Sequence, residues 1–366
     1  MTANGGSSPA RAGCGLGRDA VRLLKLLLIL CLWATGPAAA GPLEDGVAAY
    51  RKGDYATALR LLRPLGEQGN AVAQFSLGAM YNHGLGVPQD LATAAAWYRK
   101  AAEQGEARAQ NNLGTMYDTG HGVPRDPAAA ASWYLKAAEQ GVAAAQGNLG
   151  FLYSHGRGVP RDPAAAVSWY RKAVEQGDAE AQNNLGTMYE RGEGVPQDYA
   201  TAVSWFRKAA EQGNAKAQRN LGLMYNRGRG VSQDHATAAA WYLKAANQGD
   251  TGSQVELGIF YGTGRGVSKD PAAAASWFRK AADQGEAAGQ YNLGIMYGSG
   301  KGVPLDYVQA YKWFNLASRH YAASDKESRE HAVRDRDIVA AKMTPAQIAE
   351  AQKLASEWKP KPAGSR

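Results

Sequence analysis

From Ala73 onward, apolar residues recur three and four positions apart. Ala73, Leu77, Met80 and Tyr81 fall on one face. After a polar, glycine-containing interval, Ala94, Trp97 and Ala101 fall on another. Spacing of this kind marks amphipathic α-helices and not strands, whose period is two. Two helices, A and B, are predicted within this short span. The same pair then returns every 36 residues. Leu-Gly recurs at Leu77-Gly78, Leu113-Gly114, Leu149-Gly150, Leu185-Gly186, Leu221-Gly222, Leu257-Gly258 and Leu293-Gly294. Tryptophan keeps the same interval at Trp97, Trp133, Trp169, Trp205, Trp241, Trp277 and Trp313, as do Tyr81 to Tyr297 and Asp90 to Asp306. Seven rows share one register without an insertion. This period, more than the length of 366 residues, decides the domain organisation.

Each row carries its own punctuation. Gly84 follows the last turn of helix A, where a left-handed residue ends a helix with little strain. Gly84-Leu85-Gly86-Val87-Pro88-Gln89 then leads to Asp90, a strong cap for helix B. Asp126-Pro127, Asp162-Pro163 and Asp270-Pro271 place proline at the first helical position, where its missing N–H is no loss. Helix B ends at Gly105. Gly78, Ala94 and Ala101 are small enough to let helices approach closely, and the invariant column from Gln74 to Gln290 reads as structural. The tryptophan column reads as core. One helix pair leaves its apolar face open, whereas stacked pairs bury it. The predicted fold is therefore all-α, a solenoid of antiparallel helix pairs.

The ends of such a stack need covers. Residues 41–69 read as an N-terminal capping pair with an apolar stripe of Tyr55, Ala58, Leu61, Leu62 and Leu65. Residues 70–320 hold the repeats, with Tyr307 to His320 a modified last helix B. Residues 321–358 read as two further helices. The last has Thr344 as cap, Pro345 behind it, Gln347 in capping-box position, and a face of Ile348, Ala351, Leu354, Ala355 and Trp358. Residues 359–366 read as a flexible tail.

The row A-x-A-Q-x-x-L-G-x-M-Y-x-x-G-x-G-V-P-x-D-x-x-x-A-x-x-W-Y-x-K-A-A-E-Q-G resembles the Sel-one-like repeat, a relative of the tetratricopeptide repeat, over residues 70–320. The resemblance implies a right-handed superhelix whose concave wall is lined mainly by helix A. It also implies adaptor, regulatory or host-contact roles, often outside the bacterial cytoplasm. One branch of that family is disulfide-rich and linked to β-lactamase-like activity. This sequence lacks that branch's cysteines, so that activity is not carried over.

The first 40 residues stand apart from the repeats. Arg11, Arg18, Arg22 and Lys25 precede an apolar run from Leu26 to Ala34, and Ala38-Ala39-Ala40 follows as a small-residue cleavage site. That order reads as a secretory signal peptide over 1–40, with a mature chain beginning near Gly41 and a periplasmic or secreted destination. The run is too short to span a bilayer, so no membrane span is expected after leader removal. A small residue, as a lipoprotein site requires, is missing before Cys31, where Leu30 stands. Both cysteines, Cys14 and Cys31, lie in the leader. The mature chain therefore forms no disulfide and no thiolate metal site. Leader removal also takes four cations and Asp19, lowering the formal charge from +8 to +5. An excess so mild and dispersed argues against nucleic acid as the partner.

Function is sought where the rows differ, because positions shared by every row serve the stack. In helix A the freest positions lie six and three before the Leu-Gly glycine, then one, four and five after it. These steps share one helical face. The stripe runs through Arg108, Asn111, Thr115 and Asp118, then Phe151, then Glu180, Asn183, Thr187 and Arg191. It continues through Lys216, Arg219, Leu223 and Arg227 and ends at Tyr291, charged in the middle and apolar towards the C-terminus. These residues are the candidate surface for a protein or peptide partner. A second column lies one residue before Leu-Gly, with Asn112, Asn148, Asn184, Asn220 and Asn292 in five rows and Ser76 and Glu256 breaking it in the other two. Asparagine both donates and accepts. The column either forms a ladder for an extended peptide backbone or, the favoured reading, ties down the loop of a neighbouring repeat. Loop residues such as Arg157 read as plain surface.

No catalytic residue, metal site or cofactor is predicted, and the chain is expected to act as a monomer. His83 and His155 share a column two rows apart. Stacked helices lie about 10 Å apart, which puts them roughly 20 Å from each other. Zinc ligands must lie about 2 Å from the ion. Ser356-Glu357-Trp358-Lys359 matches S-x-x-K without companion motifs. The expected role is an exported interaction scaffold or adaptor that regulates an envelope sensor or assembly complex. The alternative is an envelope hydrolase or a cell-wall-associated enzyme accessory.

Overall fold

The computed structural model describes residues 41–361. The leader reading, with Cys14 and Cys31, and the end of the tail at 362–366 lie outside the described residues. Among the described residues there are eighteen α-helices and no strand. They divide into two compact units, one up to Gln104 and one from Gly105 onward.

The first unit holds the helix pair Pro42–Lys52 and Tyr55–Glu67, followed by the first repeat, with helix A at Ala71–His83 and helix B at Leu91–Glu103. Its core is Ala58, Leu62, Leu77 and Met80, with Trp97 packed against it. In the second unit six more A helices alternate with six B helices. The A helices are Ala107–Thr119, Ala143–His155, Ala179–Arg191, Ala215–Arg227, Thr251–Thr263 and Ala287–Ser299. The B helices are Pro127–Glu139, Pro163–Glu175, Tyr199–Glu211, His235–Asn247, Pro271–Asp283 and Tyr307–His320. Two closing helices follow, Lys326–Ala340 and Pro345–Glu357.

The caps are those the sequence predicts. Asp198 accepts the backbone N–H groups of Ala200 and Thr201 at 2.9 and 3.0 Å. Thr344 and Gln347 form a reciprocal capping box. Within each repeat, helix A packs on helix B through the Leu-Gly glycine. A Cβ on Gly186 would stand 2.8 Å from the Phe206 ring, so only glycine lets the aromatic seat this deeply. Within the second unit the loop then fastens a repeat to the one before. Gly194 has φ +72°, and a Cβ there would lie 2.3 Å from the Pro163 carbonyl oxygen, at the start of the preceding helix B.

The glutamine column supplies a second joint. Gln146 Nε2 donates to the Ala138 carbonyl at 3.1 Å, while its Oε1 accepts from Gln176 Nε2 at 2.9 Å. Gln182, Gln218 and Gln254 accept from Gln212, Gln248 and Gln284 in the same way. At the last repeat His320 replaces the donor, with Nδ1 at 2.8 Å from Gln290 Oε1. Burial holds that imidazole below its ordinary pKa, which favours the neutral ring.

The tryptophan column departs from its predicted place. Six of the seven, Trp97 to Trp277, are only half-buried, and Trp313 alone is buried. The core position is the next residue: Tyr98, Tyr134, Tyr170, Phe206, Tyr242, Phe278 and Phe314 are all buried. The indole sits at the edge of the joint. Trp169 lays one side on the core formed by the preceding helix B and its own helix A. Lys172 Nζ lies 4.0 Å from its ring centre, and each of the seven has a lysine so placed. A cation over an aromatic face satisfies a ring that one repeat alone cannot enclose.

The closing helices cover the last repeat. Ala351 and Ala355 are buried, and Trp358 meets Trp313 edge-on at 6.4 Å. Within the stretch read as a tail one residue is docked: Lys361 donates its backbone N–H to the Asp283 carbonyl at 2.7 Å and pairs with the Asp283 carboxylate at 3.1 Å.

Candidate functional site

The helix A positions read as freest separate into two groups, and the first group is occupied in holding repeats together. Asn148 Nδ2 reaches back to Asn111 Oδ1 at 3.3 Å, and Asn220 Nδ2 to Asn183 Oδ1 at 2.9 Å. Asn111 and Asn183 in turn donate to Asn112 and Asn184 at 3.4 and 3.3 Å. Stripe and asparagine column are thus one network, and it joins helix A to helix A, not helix to loop. Asn292 turns inward and donates to the Ala288 carbonyl of its own helix.

Several charged positions behave alike. Asp118 pairs with Arg157 of the next repeat at 2.9 Å, so Arg157 is a joint residue and not plain surface. Glu180 pairs with Lys216 at 2.8 Å and accepts from Asn214 at 2.9 Å. Burial pushes the Glu180 carboxyl up, but these two donors outweigh it and leave its pKa below the ordinary value. Arg219 lies 3.6 Å from Asp250, and Arg108 is held by Glu106 of its own repeat at 2.8 Å. Tyr291 is not an open end of the stripe: its hydroxyl donates to Asp335 of the closing helices at 2.7 Å. A physical reason connects these cases. Side chains at one column repeat along the stack within reach of each other, so a variable column can carry complementary pairs between rows.

The second group stays open. Phe151, Thr187 and Arg191, with His155, Met188 and Glu193, line a hollow of about 410 Å³ between the A helices of the third and fourth repeats. Phe151 and His155 lie ring to ring at 4.1 Å. Arg161 closes one side through Glu193 at 2.8 Å, and Arg191 approaches the same carboxylate at 3.8 Å. Beneath, burial pushes the Tyr170 phenol up to about 12, keeping it a neutral hydrogen-bonding partner for Ser154 and Asn184. The hollow offers an aromatic wall, a threonine hydroxyl and two guanidinium groups. Thr115 is exposed but accepts from Tyr134 at 3.0 Å. Leu223 is half-buried and Arg227 exposed. Beyond them Glu256, standing where most rows have asparagine, has its pKa raised by burial against the opposing pull of Arg227 and Arg265.

A family model described as Sel1 repeat matches residues 71–106, 107–142, 143–178, 179–214, 215–250, 252–286 and 287–320. The chain belongs to the Sel1 repeat family. Its α-solenoid architecture is that of solved Sel1 repeat proteins. It is 33% identical to a Sel1 repeat protein from Oxalobacter formigenes, covering 68% of this chain and 96% of that one with a TM-score of 0.60. It is also 33% identical to a protective antigen of uropathogenic Escherichia coli strains displaying an SLR fold, over 87% of this chain and 84% of that one with a TM-score of 0.43. No curated protein sequence matches the chain. Sel1 repeat proteins generally act in protein–protein interaction.

Among the described residues no group of three or more His, Cys, Asp or Glu side chains could hold a metal ion, and no helix is long and apolar enough to cross a membrane. Ser356 of the S-x-x-K match donates to the Lys353 carbonyl within its own helix. The sequence reading missed a larger hollow of about 1090 Å³ against helix Lys326–Ala340. Its signal was present in the arginines interleaved with Val333 and Ile338, but outside the repeats there was no second row to compare.

Proposed function

We propose that this chain is an exported scaffold whose helix A layer holds a segment of a partner protein, anchored in the hollow between the third and fourth repeats. The observation that carries this reading is that Phe151, Thr187 and Arg191 form a concave aromatic and cationic site while most neighbouring stripe residues are taken up by joints. Such a site suits an apolar anchor residue flanked by a carboxylate: the ring wall excludes water, and the guanidinium groups favour the charge. Export rests on the basic, apolar and small-residue order of residues 11–40, and the role that fits is an adaptor for an envelope sensor or assembly complex.

Two measurements test the reading. A photo-crosslinking residue at Thr187 should capture a partner in cells, whereas the same residue at Leu243, exposed on helix B, should not. Phe151→Ala with Arg191→Glu should abolish the Thr187 crosslink with the melting temperature held. Equal capture at both positions would remove the site. N-terminal sequencing of the chain from cell fractions should begin at or near Gly41, and an intact leader on cytoplasmic protein would remove export.

A further inference from the structure

The hollow against helix Lys326–Ala340 is built from two elements. Asn315, Ser318 and Arg319 come from the last helix B, and the closing helix supplies Lys326, Arg329, Val333, Arg336 and Ile338. A second hollow of about 610 Å³ lies on the other side of Asn315, Arg319 and Arg336 and extends to Gln352 and Lys353. The two share these three residues, so they form one groove with an arginine-rich saddle.

Its charge is lopsided. The larger hollow carries Arg319, Lys326, Arg329, Arg334 and Arg336 against only Glu330 and Asp337. Arg336 is neutralised by Asp337 at 2.8 Å and Arg334 by Asp335 at 3.6 Å. Among the described residues, Arg319, Lys326 and Arg329 have no ion-pair partner. Of the carboxylates lining the hollow only Glu330 is left unpaired against these three cations, so the groove keeps a cationic excess. The groove also has an apolar component. Ile338 is 52% exposed and Val333 36%, in a chain whose large apolar side chains are otherwise mostly covered. Water hydrates the cations but not the aliphatic side chains between them, so a partner that covers Val333 and Ile338 must also supply carboxylates in place of that water.

We propose that this groove docks an acidic, aliphatic segment of a partner protein, its carboxylates on Arg319, Lys326 and Arg329 and its aliphatic side chains on Val333 and Ile338. The charge complementarity selects this occupant. A neutral apolar segment would leave the cations unpaired, and a basic one would be repelled. The groove lies on the closing helices, away from the hollow at Phe151, so it acts independently of the helix A reading.

The test uses the mature chain and a fluorescein-labelled peptide that alternates Glu and Leu, read by fluorescence anisotropy. The wild type should bind it, more weakly as salt rises, and should not bind the peptide with Lys in place of Glu. Arg319→Glu with Arg329→Glu should lower affinity by about tenfold or more, as charge reversal at an ionic interface does. Arg319→Lys with Arg329→Lys should retain most of it. In a Phe151→Ala Arg191→Glu background, which removes the other hollow, the peptide should still bind and should be lost on charge reversal at Arg319 and Arg329, separating this groove from the other site. Both arginines are exposed, so the variants should keep the wild-type melting temperature. Absence of wild-type binding, or equal binding by the charge-reversed variant, would overturn the proposal. So would binding of phosphatidylglycerol vesicles without binding of the peptide, which would make the groove a lipid surface.

Discussion

Tyr170 and Trp169 are sequence neighbours with opposite duties. Tyr170 is 1% exposed and seated against Gly150, whereas Trp169 lies at a joint with a lysine over its outer face. Truncating a buried large aromatic residue typically removes about 3–5 kcal/mol. Tyr170→Ala should fall in that range and Trp169→Ala below it, as read by urea unfolding. A larger loss at Trp169 would place the core in the indole column after all. Asn220 supplies a second comparison. Its hydrogen bond to Asn183 joins two repeats, so Asn220→Ala should destabilise the fold by about 1 kcal/mol. Unchanged stability with lost partner capture would instead assign it to binding. At this scale the sequence was only half legible. Periodicity shows that both Trp169 and Tyr170 lie on a repeated face, but not which one a neighbouring repeat leaves uncovered. Variation in Glu180 and Asn183 marks freedom from the shared pattern, and here that freedom is used for pairing between rows.

The elements were the most legible level, because their signals are local. Aspartate before helix B, glycine after helix A and the Thr344–Gln347 box each act through bonds inside a few residues. These caps make a pH prediction. The carboxyls of Asp90, Asp198 and Asp234 are held below the ordinary aspartate range, first by the side-chain hydroxyls of Thr93, Thr201 and Thr237, then by backbone N–H groups. Their folded pKa values lie below the unfolded ones, so the unfolded chain binds more protons in that window. The stabilisation is therefore complete above the ordinary aspartate value and lost as pH falls through the lowered ones. Melting temperature followed into acid should fall more steeply for the wild type than for a triple Asp→Asn variant at these sites. Parallel curves would show that the caps do not titrate with unfolding.

At the scale of the whole chain, the repeats were legible because they are compared with one another, and the closing helices through their own caps; the groove on those helices was not, because they occur once. Their contribution is testable. Trp313 and Leu316 are 3% and 2% exposed under a cover that includes Ala355 and Trp358. A chain ending at His320 should expose that surface, bind an apolar dye such as anilinonaphthalene sulfonate and associate at concentrations where the intact chain does not. A truncated chain that stays monomeric and dye-free would make the closing helices a binding attachment and not a cover.

The joints themselves have an evolutionary consequence. Gln146 with Gln176, Gln182 with Gln212 and Gln218 with Gln248 are the same contact made of the same atoms at a constant offset. Gly158, Gly194 and Gly230 likewise each meet the same place on the preceding helix B. A duplicated segment such as 179–214 would present ends that already match its new neighbours. Unequal recombination between near-identical rows could thus lengthen or shorten the chain by whole units while every seam is preserved. The seventh unit is exempt, since His320 takes the glutamine's part and commits that row to the end. In a chain joined this way, reach can change in steps of one repeat at these seams without new contacts being invented.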